Sequence, residues 1–142
     1  MANIDLAAIR LALATVLDAV SGVRAYARVP GQIVTSTDAT AVVIMGGSPY
    51  VDYEANLLGA CPEVNFELQI VVQAADLQAA QKRLDELLST GTGSTRSLYD
   101  AIYNNQTLSG AVRHCSPPSE ASQPTLTEDP WLVARMSVNV QV

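Results

Sequence analysis

The spacing of apolar residues changes in the middle of the chain, at Asp76, from every second residue to about every 3.6 residues. Before Asp76, apolar and polar residues alternate over 64–73, which predicts a half-buried strand. After it, the apolar spacing predicts a helix that ends at Leu88 and has Asp76 as its N-cap. The apolar stripe of this helix comprises Leu77, Ala80, Leu84, Leu87 and Leu88. Together the two patterns predict a sheet that a helix covers on one face.

The same patterns predict the remaining elements of the chain. In order they are a helix over 4–20, strands over 23–29 and 41–45, a continuation of the second strand over 50–54 beyond a kink at Ser48-Pro49, the strand and helix just described, a short helix over 96–104, a short strand over 110–115 and a final strand over 132–142. Ser94 or Thr95 is expected to cap the short helix, and residues 89–95 are expected to form a flexible connection. We therefore predict a single domain over 1–142 with an α+β fold. Its sheet is mostly antiparallel, has about four to five strands, and is backed by two main helices and a short third helix.

Two connections are predicted to leave the compact core. The second and third strands form a hairpin whose tip, about 47–62, projects from the sheet. The side chains expected to be partly exposed there are Tyr50, Tyr53, Leu57 and Leu58. A neighbouring protein explains such a cluster better than water does, which makes these residues candidate interface anchors. The second connection is a loop of about 116–130, after which Trp131 either anchors a partner or caps the core.

The charge of the chain argues against some partners. Its 142 residues carry a formal net charge of -6 at pH 7, and the one lysine and seven arginines are scattered singly. No basic stripe is available to neutralise phosphates, so nucleic-acid binding through such a stripe is not expected. The first helix contains Asp5, Arg10 and Asp18 and follows no positively charged leader, so neither a membrane span nor a signal peptide is predicted. We expect a soluble protein made in the cytosol.

Histidine and cysteine offer little catalytic chemistry. His114, the one histidine, lies beside Cys115 in a segment without other candidate ligands. An incidental pair is therefore expected rather than a nucleophile or a metal site. Cys61 and Cys115 match no paired-cysteine spacing, so we expect reduced thiols, and a disulfide is the alternative that the sequence leaves open.

Two further patterns have a structural explanation beside a functional one. The Gly91–Thr95 stretch resembles a phosphate-binding loop, but it joins two helices and lacks the lysine of that motif, which favours a linker. A divalent cation site is one explanation for Asp52, Glu54 and Glu63, if the hairpin brings these carboxylates together. The alternative is that they are solvated, as carboxylates at strand ends more often are. We expect no metal, no cofactor and no catalytic residue, and the chain is not expected to be an enzyme.

Several stretches of the chain, taken in their order and spacing, resemble one family. They are the Val29-Pro30 end of the first strand, the run 41–43 followed by Gly46-Gly47 and Tyr53, the block FELQIVVQAADLQAAQKRLDELL over 66–88, GSTRSLYDAI over 93–102, the stretch 106–110 and the final alternating strand. This arrangement, which covers nearly the whole chain, resembles the tail terminator proteins of long-tailed, siphovirus-type bacteriophages, especially those that infect actinobacteria.

The resemblance implies a structural protein of the virion. Tail terminators form a ring, usually of six copies, that caps the tail tube, ends its polymerisation and joins the tail to the head connector. The implied partners are copies of the same chain, the tail tube protein and a head-tail connector or stopper protein. The implied location is the head-tail junction, at the top of the tail. The hairpin over 47–62 and the loop over 116–130 are the segments that match the subunit contacts of the family.

The acidity of the chain has a consequence for such a ring. A ring of acidic subunits attracts DNA phosphates little, so DNA is expected to pass through the lumen without specific binding. Arginines that line the lumen, such as Arg24 or Arg28, would reverse the sign of the charge locally.

Two other functions are left open. Another neck component, a stopper or a head-tail connector, shares ring assembly but binds the portal side. A ferredoxin-like module that binds a regulatory small molecule has a similar order of elements. Contact with tail tube subunits favours the terminator, whereas saturable binding of a ligand in a closed pocket favours the regulatory module.

Overall fold

The computed structural model describes residues 4–28, 40–53, 62–73, 76–127 and 131–142. These residues form three helices and seven strands. The helices are α1 (Leu6–Asp18), α2 (Leu77–Leu88) and α3 (Leu98–Tyr103), and the strands are β1 (Val23–Tyr26), β2 (Thr40–Asp52), β3 (Glu63–Gln73), β4 (His114–Cys115), β5 (Glu120–Ala121), β6 (Thr125–Leu126) and β7 (Trp131–Gln141).

All seven strands belong to one mixed sheet, in the order β1-β2-β3-β7-β4, with β5 and β6 also paired to β7. β1 runs parallel to β2, and the other pairs are antiparallel. The predicted α+β class is therefore confirmed. The predicted number of four to five strands is wrong, because the segment predicted as the loop 116–130 contributes β5 and β6. Strands of two residues carry no periodicity by which a sequence reveals them.

The centre of the sheet is the β3–β7 pair. Its register is unbroken from Glu63 opposite Gln141 to Gln73 opposite Trp131. Side chains alternate between the two faces of a strand, so β3 and β7 each present a row of apolar residues to the same face of the sheet. The helices pack on that face. The other face carries polar neighbours, such as the Glu67–Arg135 ion pair at 3.4 Å.

The core lies between that apolar face and the three helices. The largest fully buried side chains are Phe66, Leu13, Leu17, Ile44, Leu68, Ile70, Leu84, Leu87, Leu98, Ile102, Leu108 and Val20. Every helix contributes to this set, which is what a sheet backed by helices requires. Of the stripe predicted for α2, Leu77 is an exception, since this first residue of the helix is 48% exposed.

Each of the three helices begins at a side-chain N-cap, and the sequence predicted one of these caps. Oδ1 of Asp5 accepts a hydrogen bond from Ala8 N–H at 3.1 Å, and Oδ1 of Asp76 accepts one from Ala79 N–H at 3.2 Å, so Asp76 is confirmed as an N-cap. The short helix α3 differs, because its N-cap is Ser97, whose Oγ lies 3.4 Å from the Asp100 nitrogen. The prediction that Ser94 or Thr95 caps it is wrong, because residues 94–96 form a turn instead.

Candidate functional site

The predicted hairpin is formed by β2 and β3, and it contains a large irregularity in β2. Gly46 pairs with Phe66 and Val51 pairs with Val64, so β2 has three more residues than β3 between these two pairs. The extra residues make a bulge at the kink predicted for Ser48-Pro49, a peptide bond that is cis. Of the predicted tip, Leu57 and Leu58 lie outside the described residues.

Tyr50 faces inward from this bulge. It is half-buried, and its ring packs edge-on against Phe66, with a distance of 5.9 Å between ring centroids. Arg10 of α1 reaches the same place: its Nε donates to Tyr50 Oη at 2.7 Å and its guanidinium carbon lies 5.3 Å from the centre of the Tyr50 ring. Tyr50 is therefore held in an internal cluster, and its full side chain is not available as the exposed anchor that the sequence suggested.

The rest of the Arg10 guanidinium joins the bulge to the first strand. Its Nη1 donates to the carbonyl oxygens of Ala27, at 3.0 Å, and Ile44, at 2.9 Å. Gly46 leaves room for the ring of Tyr50, since a Cβ there would lie 3.0 Å from Cγ of Tyr50 and that ring would have to shift by a few tenths of an ångström. One cation thus ties α1, the end of β1 and β2 together. The sequence signal for it is a lone charge in helix 6–17, whose other residues are apolar except Thr15.

The other candidate aromatics do not lie together. Tyr53, directly after β2, is 68% exposed. Trp131 is half-buried at the first position of β7, opposite Gln73, whereas the hairpin meets the other end of β3 near Glu63. Ten residues of strand separate these ends, which corresponds to about 33 Å. Tyr53 and Trp131 therefore belong to two separate surfaces.

The carboxylates considered as cation ligands are only partly placed. Asp52 and Glu63 are direct cross-strand neighbours, and Glu54 lies outside the described residues. Oε2 of Glu63 accepts from Nδ2 of Asn139 at 3.2 Å. Within the described ranges no group of three or more histidine, cysteine, aspartate or glutamate side chains is arranged to hold a metal ion.

Cys115 lies in the core, and His114 beside it is half-buried. Burial raises the pKa of the Cys115 thiol to about 12, because the thiolate loses its hydration there. The thiol is therefore protonated at neutral pH, which disfavours Cys115 as a nucleophile. Cys61 is outside the described residues.

The 89–95 connection, predicted to be flexible, is bound to a buried carboxylate. Asp100 is 8% exposed, and its two oxygens accept hydrogen bonds from the backbone N–H groups of Gly91 (3.1 Å), Thr92 (2.9 Å) and Gly93 (2.9 Å). Gly93 adopts a φ of 112°, which favours glycine. The loop wraps around this carboxylate, so the prediction of a flexible connection is wrong. The sequence does not reveal this role of Asp100, because its hydrogen-bond donors are backbone N–H groups and so give no recognisable pattern of residue types.

A pH-dependent contribution to stability follows from this loop. The N–H groups of Gly93 and Gly91 hold the pKa of Asp100 below its ordinary value of 3.8, and Thr92 adds to this against the opposing effect of burial. Because the folded pKa is lowered, the stabilisation is complete above the ordinary pKa and is lost as pH falls through the folded value. Asp100→Asn should reduce the free energy of unfolding by about 1–2 kcal/mol at neutral pH, measured by urea denaturation.

The matched control for this variant is Asp85→Asn on the exposed side of α2, for which a change below about 0.5 kcal/mol is expected. The difference between Asp100→Asn and the unmodified chain should shrink as pH is lowered below about 4. A difference that stays constant between pH 7 and pH 3 would show that the charge of Asp100 does not hold the loop.

A second surface, between α1 and β1, was not suggested by the sequence reasoning. It is a groove of about 570 Å³ on the edge of the sheet. Its lining comprises Asp5, Ala7, Ala8, Leu11, Ala25, Tyr26, Ala27 and Arg28. Leu11 is 63% exposed there, which is unusual for a leucine in the middle of a helix that packs on a core. The sequence nevertheless indicates an exposed apolar surface here, because α1 carries apolar residues on its outward side as well as on the side that packs on the core.

Comparison with known proteins does not assign the chain to a family. No known family profile matches the sequence, and no curated protein shows significant similarity to it.

In the part of the chain that the structure describes, no helix has both the length and the apolar character that crossing a bilayer requires.

Proposed function

We propose that this protein is a tail terminator: a structural virion protein that forms a ring of about six copies on the end of a phage tail tube. The ring ends polymerisation of the tube and joins the tail to a head connector or stopper at the head-tail junction. Its partners are its own copies, the tail tube protein and that connector. DNA passes through the ring without specific binding, and the protein catalyses no reaction.

The observation that carries the proposal is the family-like order of sequence phrases. The block over 66–88 forms most of β3 and all of α2, and the phrase over 93–102 supplies part of the Asp100 loop and most of α3. These phrases therefore supply a central strand and two of the three described helices of a helix-backed sheet, the architecture that the resemblance implies. The fold alone does not select this function, because one fold serves many.

The exposed apolar side chains bear on the regulatory small-molecule module. Leu11 is 63% exposed on α1, Tyr53 is 68% exposed beyond β2, and Leu126 is 53% exposed on β6. These residues lie on different elements around the sheet. A ligand pocket concentrates apolar groups in one place, so their spread does not favour that module.

The direct test is an elongation assay. Purified protein is added to polymerising tail tube subunits of the same phage, and tube lengths are measured in electron micrographs. Tubes should stop growing, with a final length that depends on when the protein is added. Continued growth together with binding to the portal-side adaptor would assign the chain to another neck component instead. Continued growth without binding to either partner would contradict a neck function altogether.

His114 provides a test of the non-enzymatic part of the proposal. His114→Ala should cap tubes as the unmodified protein does, because the side chain is only half-buried and has no assigned role in assembly. A change in stability of less than about 1 kcal/mol is expected, measured by urea denaturation. Loss of a hydrolase or transferase activity in this variant would contradict the proposal.

A further inference from the structure

We propose that the backbone N–H groups of residues 91–93 form a binding site for a small carboxylate anion, which the chain fills with its own Asp100 and which takes up free formate once that side chain is removed. This site does not depend on the proposed function. The Gly91–Thr95 stretch resembles a phosphate-binding loop in composition. Its N–H groups do bind an oxyanion, but that oxyanion is a carboxylate of the same chain.

Three consecutive N–H groups converge on the two oxygens of this carboxylate. Oδ2 of Asp100 accepts hydrogen bonds from Thr92 and Gly93, each at 2.9 Å, and Oδ1 accepts one from Gly91 at 3.1 Å. Successive N–H groups that converge within a turn form a nest, a concave arrangement that binds anions. Gly91 and Gly93 supply the positive φ angles, of 80° and 112°, that glycine adopts readily. We call residues 91–93 the nest.

The nest holds the negative charge without help from a cationic side chain. Among the described residues, no lysine, arginine or histidine forms an ion pair with Asp100. The N–H groups of Gly93 and Gly91 nevertheless keep the pKa of Asp100 below its ordinary value. The backbone donors therefore favour the charged carboxylate over the neutral acid. A free carboxylate offers these donors the same acceptors.

Other hydrogen bonds hold the loop in place independently of the bound carboxylate. The Gly93 carbonyl oxygen accepts from Ser97 N–H at 3.1 Å, and the Thr95 carbonyl oxygen accepts from Ser21 N–H at 2.8 Å. At the start of the loop, Oγ of Ser97 donates to the carbonyl oxygen of Ser89. Removal of the carboxylate is therefore expected to leave the three donors of the nest facing an empty space, rather than to release the loop.

The nest is close enough to the surface for a small ion to enter. Its three residues are exposed, and Asp100 behind them is 8% exposed. Asp100→Ala removes one carboxylate group, and formate is a free carboxylate of the same size. An ion with so few atoms is expected to bind no more tightly than about 1 mM. Phosphate is larger and tetrahedral, so it should not occupy the same space. The unmodified chain should bind neither ion here, because Asp100 fills the nest.

The experiment measures rescue of full-length Asp100→Ala by formate. The variant is unfolded in urea at increasing concentrations of sodium formate, with sodium chloride added to keep the ionic strength constant. At about 0.5 M formate its unfolding equilibrium constant should be at least about threefold lower than in chloride alone, as binding to the folded state requires. Asp100→Asn is the matched control. Its amide still occupies the nest, so formate should affect it no more than it affects the unmodified chain.

Hydrogen exchange of the backbone amides shows where the ion binds. Exchange at residues 91–93 should be slow in the unmodified chain, faster in Asp100→Ala, and slowed again by formate. Asp100→Ser, which keeps one acceptor for the nest, replaces Asp100→Ala if that variant does not fold.

Three results would overturn the proposal. The first is an equal effect of formate on the truncated variant, Asp100→Asn and the unmodified chain. The second is stabilisation by formate without slower exchange at residues 91–93. The third is rescue by inorganic phosphate that matches or exceeds rescue by formate, each measured relative to its effect on the unmodified chain.

Discussion

Replacement of Arg10 by methionine is expected to lower the free energy of unfolding by about 2–4 kcal/mol. The variant keeps an unbranched apolar stem but removes the donors to Tyr50 Oη and to the carbonyl oxygens of Ala27 and Ile44. These acceptors are partly buried, so water replaces the guanidinium poorly. The ring contacts of the cation with Tyr50 and Phe66 are lost as well. Urea denaturation at neutral pH measures the change.

Two variants sharpen the Arg10 experiment. Arg96→Met changes an exposed arginine in the turn before α3 and should cost less than about 0.5 kcal/mol. Arg10→Lys should recover only part of the loss, because a single ammonium cannot match the planar guanidinium that bonds three acceptors. If Arg10→Met and Arg96→Met were equally stable, the guanidinium would not be the group that joins α1 to the bulge.

Replacement of both Leu57 and Leu58 by aspartate is expected to abolish ring closure or docking, while the monomer still folds. The two leucines are adjacent in the sequence between β2 and β3. Aspartate at both positions would place two charges in an apolar contact, which typically costs several kcal/mol of binding energy. Sedimentation velocity measures the assembly, and circular dichroism measures the fold.

Gln78→Asp/Gln81→Asp is the matched control for this variant, because it adds the same charge on the exposed side of α2. It should assemble as the unmodified protein does. Normal rings formed by Leu57→Asp/Leu58→Asp would remove the hairpin tip from the interface.

The parts of the fold that the sequence predicted are those with local signals. β3 and α2 could be recognised because alternation and helical spacing meet at Asp76, whose side chain then caps the helix. β7 was equally clear, since eleven residues alternate without interruption. In each case the pattern extends over enough residues to show from the sequence which face of the element is buried.

The parts that were mispredicted depend on partners distant in sequence. β5 and β6 are strands only because β7 lies beside them, and two residues cannot display a period. The loop of residues 89–95 reads as flexible by composition, yet Asp100 binds three of its N–H groups. The composition of a loop indicates how flexible the loop is by itself. It does not reveal a hydrogen-bond acceptor elsewhere in the chain that fixes the loop.

The candidate interface was predicted only in outline. Tyr53 is exposed as expected, whereas Tyr50 is drawn inward by Arg10 and Phe66, a cluster that three separate elements assemble. Leu11 was overlooked because its position fits a helical stripe, and helical spacing alone does not tell which side of an apolar helix faces the sheet. The resemblance to tail terminators implies a class of assembly but does not say which residues would form it.

Electron microscopy of the purified protein mixed with tail tubes tests whether this chain ends tail tubes. A closed ring of this chain is expected on one end of each tube, with the tube no longer able to grow from that end. Bare tube ends beside a protein that stays monomeric at every concentration tested would contradict it.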